Sequence, residues 1–297
     1  MATIKSLNPP DFDGFFLRSV DTELTKRYTS VLDSFQQISS SMSALASIKI
    51  PDITLGFQEI AKQVTPGLEA MRRALRRRYP QNWPDDLRPF SDESTIRLIV
   101  QDEGIPLAYI PRPEIVSAVV EAENRKRRID VLLGRREDII DDCLAVLDDE
   151  ALHRKVEAQV PLMRDALYAL RDGHTSAAQA LAIVVCDTLI CTHIADSHTA
   201  AKRQAGVVLD DLELVFRADY LRIALAIAPV VGLLTSWTPK SPYPAPSELS
   251  RHVTIHQATP DHLRPDNALI AVMMGTSLLL AFSELAEWRD ARERKPA

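Results

Sequence analysis

The sequence predicts an all-α protein, and three observations carry that reading. Glycine is scarce, with 9 among 297 residues, and aromatics are 6%, while Ala, Leu and Arg abound. That balance favours helix over strand. Apolar residues recur at steps of three and four over long stretches, the spacing that lines one face of a helix. Most of the prolines fall between those stretches, where a residue without a backbone N–H ends a helix. With 46% apolar and 26% charged residues, the composition is that of a water-soluble globular chain. The net charge of -6 excludes a polycation, so any contact with nucleic acid has to come from local basic patches.

The elements follow in order. Residues 1–90 read as an N-terminal helical region. From Val20 to Ile48 the apolar positions Val20, Leu24, Tyr28, Val31, Phe35, Ile38, Met42 and Leu45 share one helix face. This is either an ordinary domain helix or an arm that packs on a partner or a second copy. Pro51 ends it, a shorter helix is expected from Ile53 to Val64, and Pro66 opens another reaching Tyr79. Arg72, Arg73, Arg76, Arg77 and Arg78 lie on that last helix. They form either a solvated face or a patch that steers a polyanion.

Residues 91–159 read as a helical middle region. Ser91–Ser94 offers capping chemistry before a helix over Thr95–Asp102. Ile105–Pro111 reads as extended, and Pro113 opens the next helix. The basic run Arg125–Arg136 is followed at once by Glu137, Asp138, Asp141 and Asp142, the pattern of a helix laced with surface ion pairs. That pairing accounts for the three aspartates more simply than a metal cluster does.

Residues 160–297 read as a bundle. A helix over Val160–Leu170 ends at Gly173. Ser176 opens an apolar helix running to Ala195, expected to be central to the core. It carries Cys186, Asp187, Cys191 and His193, with His198 beyond. The cysteines and histidines are soft-ligand types, but their spacing is not that of a Cys-x-x-Cys knuckle, and no metal or cofactor is expected. Asp187 is different: an acid inside an apolar helix is either paired or at the surface. An apolar helix is expected over Tyr220–Leu234. Trp237–Leu249, with four prolines, cannot be helical. Asp266 is expected to cap a last helix from Asn267 to Arg292, where Gly275 and Ser277 allow close helix approach.

Two apolar runs invite a membrane reading. Leu221–Ser236 contains Arg222 and Pro229, and Ala268–Phe282 is only 15 residues. Both fall short of the ~20 that a span needs, so no membrane association is expected. Met1–Pro10 has no apolar core of the signal-peptide kind. The three cysteines, Cys143, Cys186 and Cys191, form no even framework, which points to reduced thiols and a cytoplasmic protein.

The chemistry concentrates in Ser250-Arg251-His252-Val253-Thr254-Ile255-His256. Arginine is a permanent cation whose fork matches phosphate oxygens, and histidine both takes and gives a proton near neutral pH. His252 and His256, four apart, share a helix face. Arg251 and His256, five apart, lie about 140° apart on an ideal helix. The two histidines also suit zinc, with His262 or Asp261 as a third ligand. A zinc protease would need glutamate at the position that Val253 holds. A purely structural role, with the histidines bonded to backbone carbonyls or Asp266, is the remaining alternative.

Arg251, a polar residue, three further positions and then His256 resemble the catalytic signature of HEPN-fold ribonucleases, near the start of a late helix with an apolar helix after it. The resemblance spans Pro161 to Trp288. Many members carry glycine after the second histidine, where this chain has Gln257. The resemblance implies a HEPN-like bundle over 160–297 and a homodimer or higher homo-oligomer whose two motifs face one cleft. It also implies metal-independent RNA cleavage by Arg251, His252 and His256. Asp187 and Asn267 are the supporting candidates, and Arg72, Arg73, Arg76 and Arg77 the RNA-binding ones. By analogy, a toxin or antiviral defence effector under a regulatory protein partner is expected. A non-catalytic helical adaptor and a nucleotide-binding sensor remain as alternatives.

Overall fold

A computed structural model describes residues 80–84, 93–149, 152–210 and 221–293, and the expectations for Val20–Ile48 and Arg72–Arg78 lie outside the described residues. Within them the protein is all-α: helices joined by loops, with no strand among the described residues. In chain order the helices are α1 (Glu93–Arg97), which runs on into a wider π-helical turn at Leu98–Asp102, α2 (Pro113–Glu121), α3 (Arg125–Gly134) and α4 (Arg136–Asp149). They are followed by α5 (Val160–Arg171), α6 (Thr175–His193), α7 (His198–Asp210), α8 (Leu221–Ile227), α9 (Val230–Leu233), α10 (Arg251–His256) and α11 (Pro265–Glu293).

The core is built around α11. It packs on α3, α4, α5, α6 and α8, so the middle and C-terminal regions share one apolar interior. Its residues from Ala268 to Phe282, apart from the helix's small polar positions, are apolar and buried, as are Leu285 and Ala286. At Gly275 an added Cβ would lie 2.0 Å from Met163 Cε, so a larger residue there would have to push the end of the Met163 side chain aside. Two residues further along, Ser277 Oγ donates to the carbonyl of Ala108 at 2.9 Å and fastens the extended Ile105–Pro111 segment against the helix. Tyr109 Oη on that segment donates to Glu284 at 2.7 Å, and Arg222 pairs with the same carboxylate from α8.

Both α6 and α11 are long and apolar enough to cross a membrane by length and composition alone. The run Ala268–Phe282 is too short to span by itself, but it is part of a 29-residue helix, which is not. Of the apolar window of α11, 94% is enclosed by the fold, as in the core helix of a folded bundle, whereas 44% of that of α6 is.

Several boundaries differ from expectation for local reasons. The basic and acidic runs belong to two helices, α3 and α4, which meet at Arg135. Asn124 caps the first, accepting from the Arg127 N–H at 3.1 Å. Asp138, Asp141 and Asp142 are each taken by arginine: Asp138 by Arg135 at 2.5 Å, Asp142 by Arg112 at 2.6 Å, and Asp141 by Arg171. Pro229 divides the expected Tyr220–Leu234 helix into α8 and α9. Asp266 does not cap α11. Pro265 opens that helix, and the Asp266 carboxylate accepts two bonds from Arg264, at 2.8 and 2.7 Å.

His193, at the end of α6, is buried and stacked on Phe282 with ring centroids 4.8 Å apart. Burial, with help from Arg289, pushes its pKa down to about 4. The folded state therefore keeps His193 neutral at pH values where the unfolded chain binds a proton. Stability is expected to fall as pH drops from about 6.5 towards 4. Urea unfolding across that range checks this, and His193→Gln is expected to flatten the slope.

Candidate functional site

The site starts with a short helix held down on one side. Ser250 is extended (φ -135°, ψ 125°), and its Oγ accepts from the Val253 N–H at 3.4 Å, which starts α10 at Arg251. Val253 and Thr254 face inward, and Gln179 of α6 donates to Thr254 Oγ1 at 3.1 Å. Ile255 and His256 face solvent, and Arg251 and His252 are half-buried. Ser250→Ala is expected to cost about 1 kcal/mol in unfolding free energy, since it removes that cap. Chemical denaturation would measure it.

Arg251 reaches α6 and pairs with Asp187: Nε donates to Oδ1 at 2.7 Å and Nη2 to Oδ2 at 3.2 Å. The requirement that an acid in an apolar helix be paired is met here by the motif's own arginine. The carboxylate occupies one edge of the guanidinium. Among the described residues no other hydrogen bond is made by Arg251, so its remaining N–H groups are open to a ligand. Arg251 is 18% exposed and Asp187 23% exposed, so solvent reaches the pair.

Two further groups complete the cluster. His198, at the first position of α7, has Nε2 2.8 Å from Asp187 Oδ1 and 3.5 Å from Cys191 Sγ. On α10, the rings of His252 and His256 lie 4.9 Å apart between centroids, tilted by 54°, as their spacing of four predicts. Burial acts to raise the pKa of Asp187, but hydrogen bonds from Arg251 and His198 outweigh it and hold the group below the ordinary aspartate range. Burial, together with the charges of His256 and Arg251, lowers the pKa of His252. The arrangement therefore offers a fixed cation, an anion that orients it and two imidazole rings, all within reach of water.

Asn267 does not contact Arg251. Fully buried, it donates to the carbonyls of Ser247 at 3.1 Å and His262 at 3.0 Å, and so ties together the loops on either side of α10. His262 is buried beneath the motif, and burial lowers its pKa. It does not join His252 and His256 as a third metal ligand. Nor does the set Cys186, Cys191, His193 and His198 converge. Cys186 is fully buried, and His193 lies on Phe282. Among the described residues one group of three ligand side chains does meet: Asp187, Cys191 and His198. The spacing of Asp187 and Cys191, one helical turn apart, was visible in the sequence. The turn at 194–197 that returns His198 to them was not. Arg72, Arg73, Arg76 and Arg77 lie outside the described residues.

No family model, no curated protein and no solved structure matches the chain.

Proposed function

We propose that the chain is a metal-independent endoribonuclease of HEPN type that works as a homodimer in the cytoplasm. The observation that carries the reading is the two-pronged hold of Asp187 on Arg251 beside the paired rings of His252 and His256, on a solvent-reached surface. In the proposed reaction His256 takes the proton of a ribose 2′-hydroxyl. The 2′-oxygen attacks the adjacent phosphorus in line. The open edge of Arg251 meets the charge that grows on the non-bridging oxygens. The departing 5′-oxygen takes a proton from a second imidazole, either His252 or a histidine of the second copy. The products are a 2′,3′-cyclic phosphate and a 5′-hydroxyl, and no co-reactant is needed. Two copies help because one histidine cannot be base and acid in the same step. A role as toxin or antiviral effector under a regulatory partner follows from the family resemblance.

The test is end analysis of RNA incubated with the protein in EDTA. Cyclic-phosphate and 5′-hydroxyl ends support the reading. Ends of the 3′-hydroxyl and 5′-phosphate type, or a requirement for Mg2+, refute it. The second reading is a non-catalytic adaptor. Leu162 and Tyr168 on α5 and Val184 on α6 are large apolar side chains 42 to 49% exposed, as on a surface that meets another protein. That reading expects a stable oligomer and intact RNA at every protein concentration.

A further inference from the structure

Three ligand side chains of different chemistry meet where α6 gives way to α7. Asp187 and Cys191 stand one turn apart on α6, and His198 comes back to them at the first position of α7. Their ligand atoms all lie within 4.8 Å of one another, and all three residues are half-buried, open to an ion arriving from water.

The hydrogen bonds of this cluster are poorly matched. Both Asp187 Oδ1 and Cys191 Sγ approach the same ring atom, His198 Nε2, at 2.8 and 3.5 Å. One ring nitrogen carries either a hydrogen or a lone pair. It cannot give its hydrogen to the carboxylate and also take one from the thiol. This is therefore not a Cys-His-Asp nucleophile, in which the acid would hold the other ring nitrogen. With the Nε2 hydrogen given to the carboxylate, the thiol makes no strong hydrogen bond to this ring; a cation at the centre would take a lone pair from all three atoms. With Zn–S ~2.3 Å and Zn–N and Zn–O ~2.0 Å, a tetrahedral site sets S and N about 3.5 Å apart and N and O about 3.3 Å apart. The first separation is the one observed. The second requires the 2.8 Å hydrogen bond to open by roughly half an ångström, and the third requires Asp187 and Cys191, now within 4.8 Å of each other, to set O and S about 3.5 Å apart.

We propose that Asp187, Cys191 and His198 hold a single thiophilic divalent cation, Zn2+ by ligand type, with water in the fourth position, and that this ion competes with Arg251 for Asp187. On binding, the Cys191 S–H bond breaks, its proton goes to solvent and a metal–sulfur bond forms, with no change of oxidation state. The competition follows from geometry: Arg251 Nε lies 2.7 Å from the same Oδ1. Asp187 therefore has two alternative cations, and the metal-held form releases the arginine. That this form is the inactive one rests on the ribonuclease reading. The binding does not.

The test uses the full chain without RNA, in a thiol-free reductant, titrated with Co2+. A near-ultraviolet thiolate-to-cobalt band is expected to saturate at one equivalent and to bleach on adding Zn2+. Cys143 and Cys186, the other two cysteines, are fully buried, so the band reports Cys191. Cys191→Ser and His198→Ala are each expected to abolish it with helix content unchanged by circular dichroism. Should His198→Ala unfold, Cys191→Ser decides alone. Arg251→Gln is expected to bind Co2+ about tenfold more tightly, because a competing charge has gone. Absence of the band in the wild type, or its persistence in Cys191→Ser, overturns the site. Equal or weaker binding by Arg251→Gln overturns the competition. None of these outcomes depends on whether RNA is cut.

Discussion

Arg251→Ala is expected to slow RNA cleavage in EDTA by about 100- to 1,000-fold, the usual loss when one preorganised donor to a developing negative charge is removed. His256→Ala is expected to lose about 100- to 10,000-fold, the range for a general acid or base. The variants should fold. His256 lies at the exposed end of α10, and Asp187 keeps its contact with His198 when the arginine is gone. Arg251→Lys separates charge from shape. An ammonium cannot occupy both carboxylate oxygens with one edge and present a second edge to phosphate, so the lysine variant is expected to stay close to the alanine one. Single-turnover rates on one RNA, beside circular dichroism of each variant, check the set. Cleavage by both alanine variants at the wild-type rate would remove the motif from the mechanism.

The second large effect lies away from the site. Glu103→Ala is expected to lower the unfolding free energy by about 3–5 kcal/mol, as when one member of a buried ion pair is deleted. Arg128 on α3 is only 4% exposed, with Nη1 2.5 Å from Glu103 Oε1 and Nε donating to the carbonyl of Val119 at 3.2 Å. Without the carboxylate, a buried guanidinium keeps one backbone acceptor and loses its counter-charge. Burial raises the pKa of Glu103, and the charges of Arg128 and Arg125 only partly offset it, so the pair itself contributes little net stability. The cost comes from orphaning the arginine. Glu103→Gln, which keeps an acceptor, is expected to lose less. Urea unfolding of the three proteins measures both.

The helical class was readable because it rests on composition and period, which are local. Gly173 at φ +84° ends α5 where the pattern stopped, and Pro113 opens α2 where it resumed. The helix α7 was missed. Its buried positions include Ala201 and Ala205, small residues that give a faint apolar stripe. That Asp187 is either paired or at the surface was legible through a general constraint, the cost of an unpaired buried charge; that the pairing is with Arg251 does not follow from that constraint and comes from the packing of α10 on α6. Neither the bond of His198 to Asp187 nor that of Gln179 to Thr254 could be read from spacing. Each joins residues brought together by a turn or by the packing of α10 on α6. Asn267, a supporting candidate in the sequence, braces the loops on either side of α10, a contact that spacing alone does not reveal.

The account stands most directly on an RNA carrying one 2′-deoxy sugar, incubated with the wild-type protein in EDTA. If Arg251 and His256 act as proposed, the strand is cut at its susceptible ribose positions and left whole on the 3′ side of the deoxy sugar. Cutting at the deoxy position, or an RNA that stays intact throughout, contradicts it.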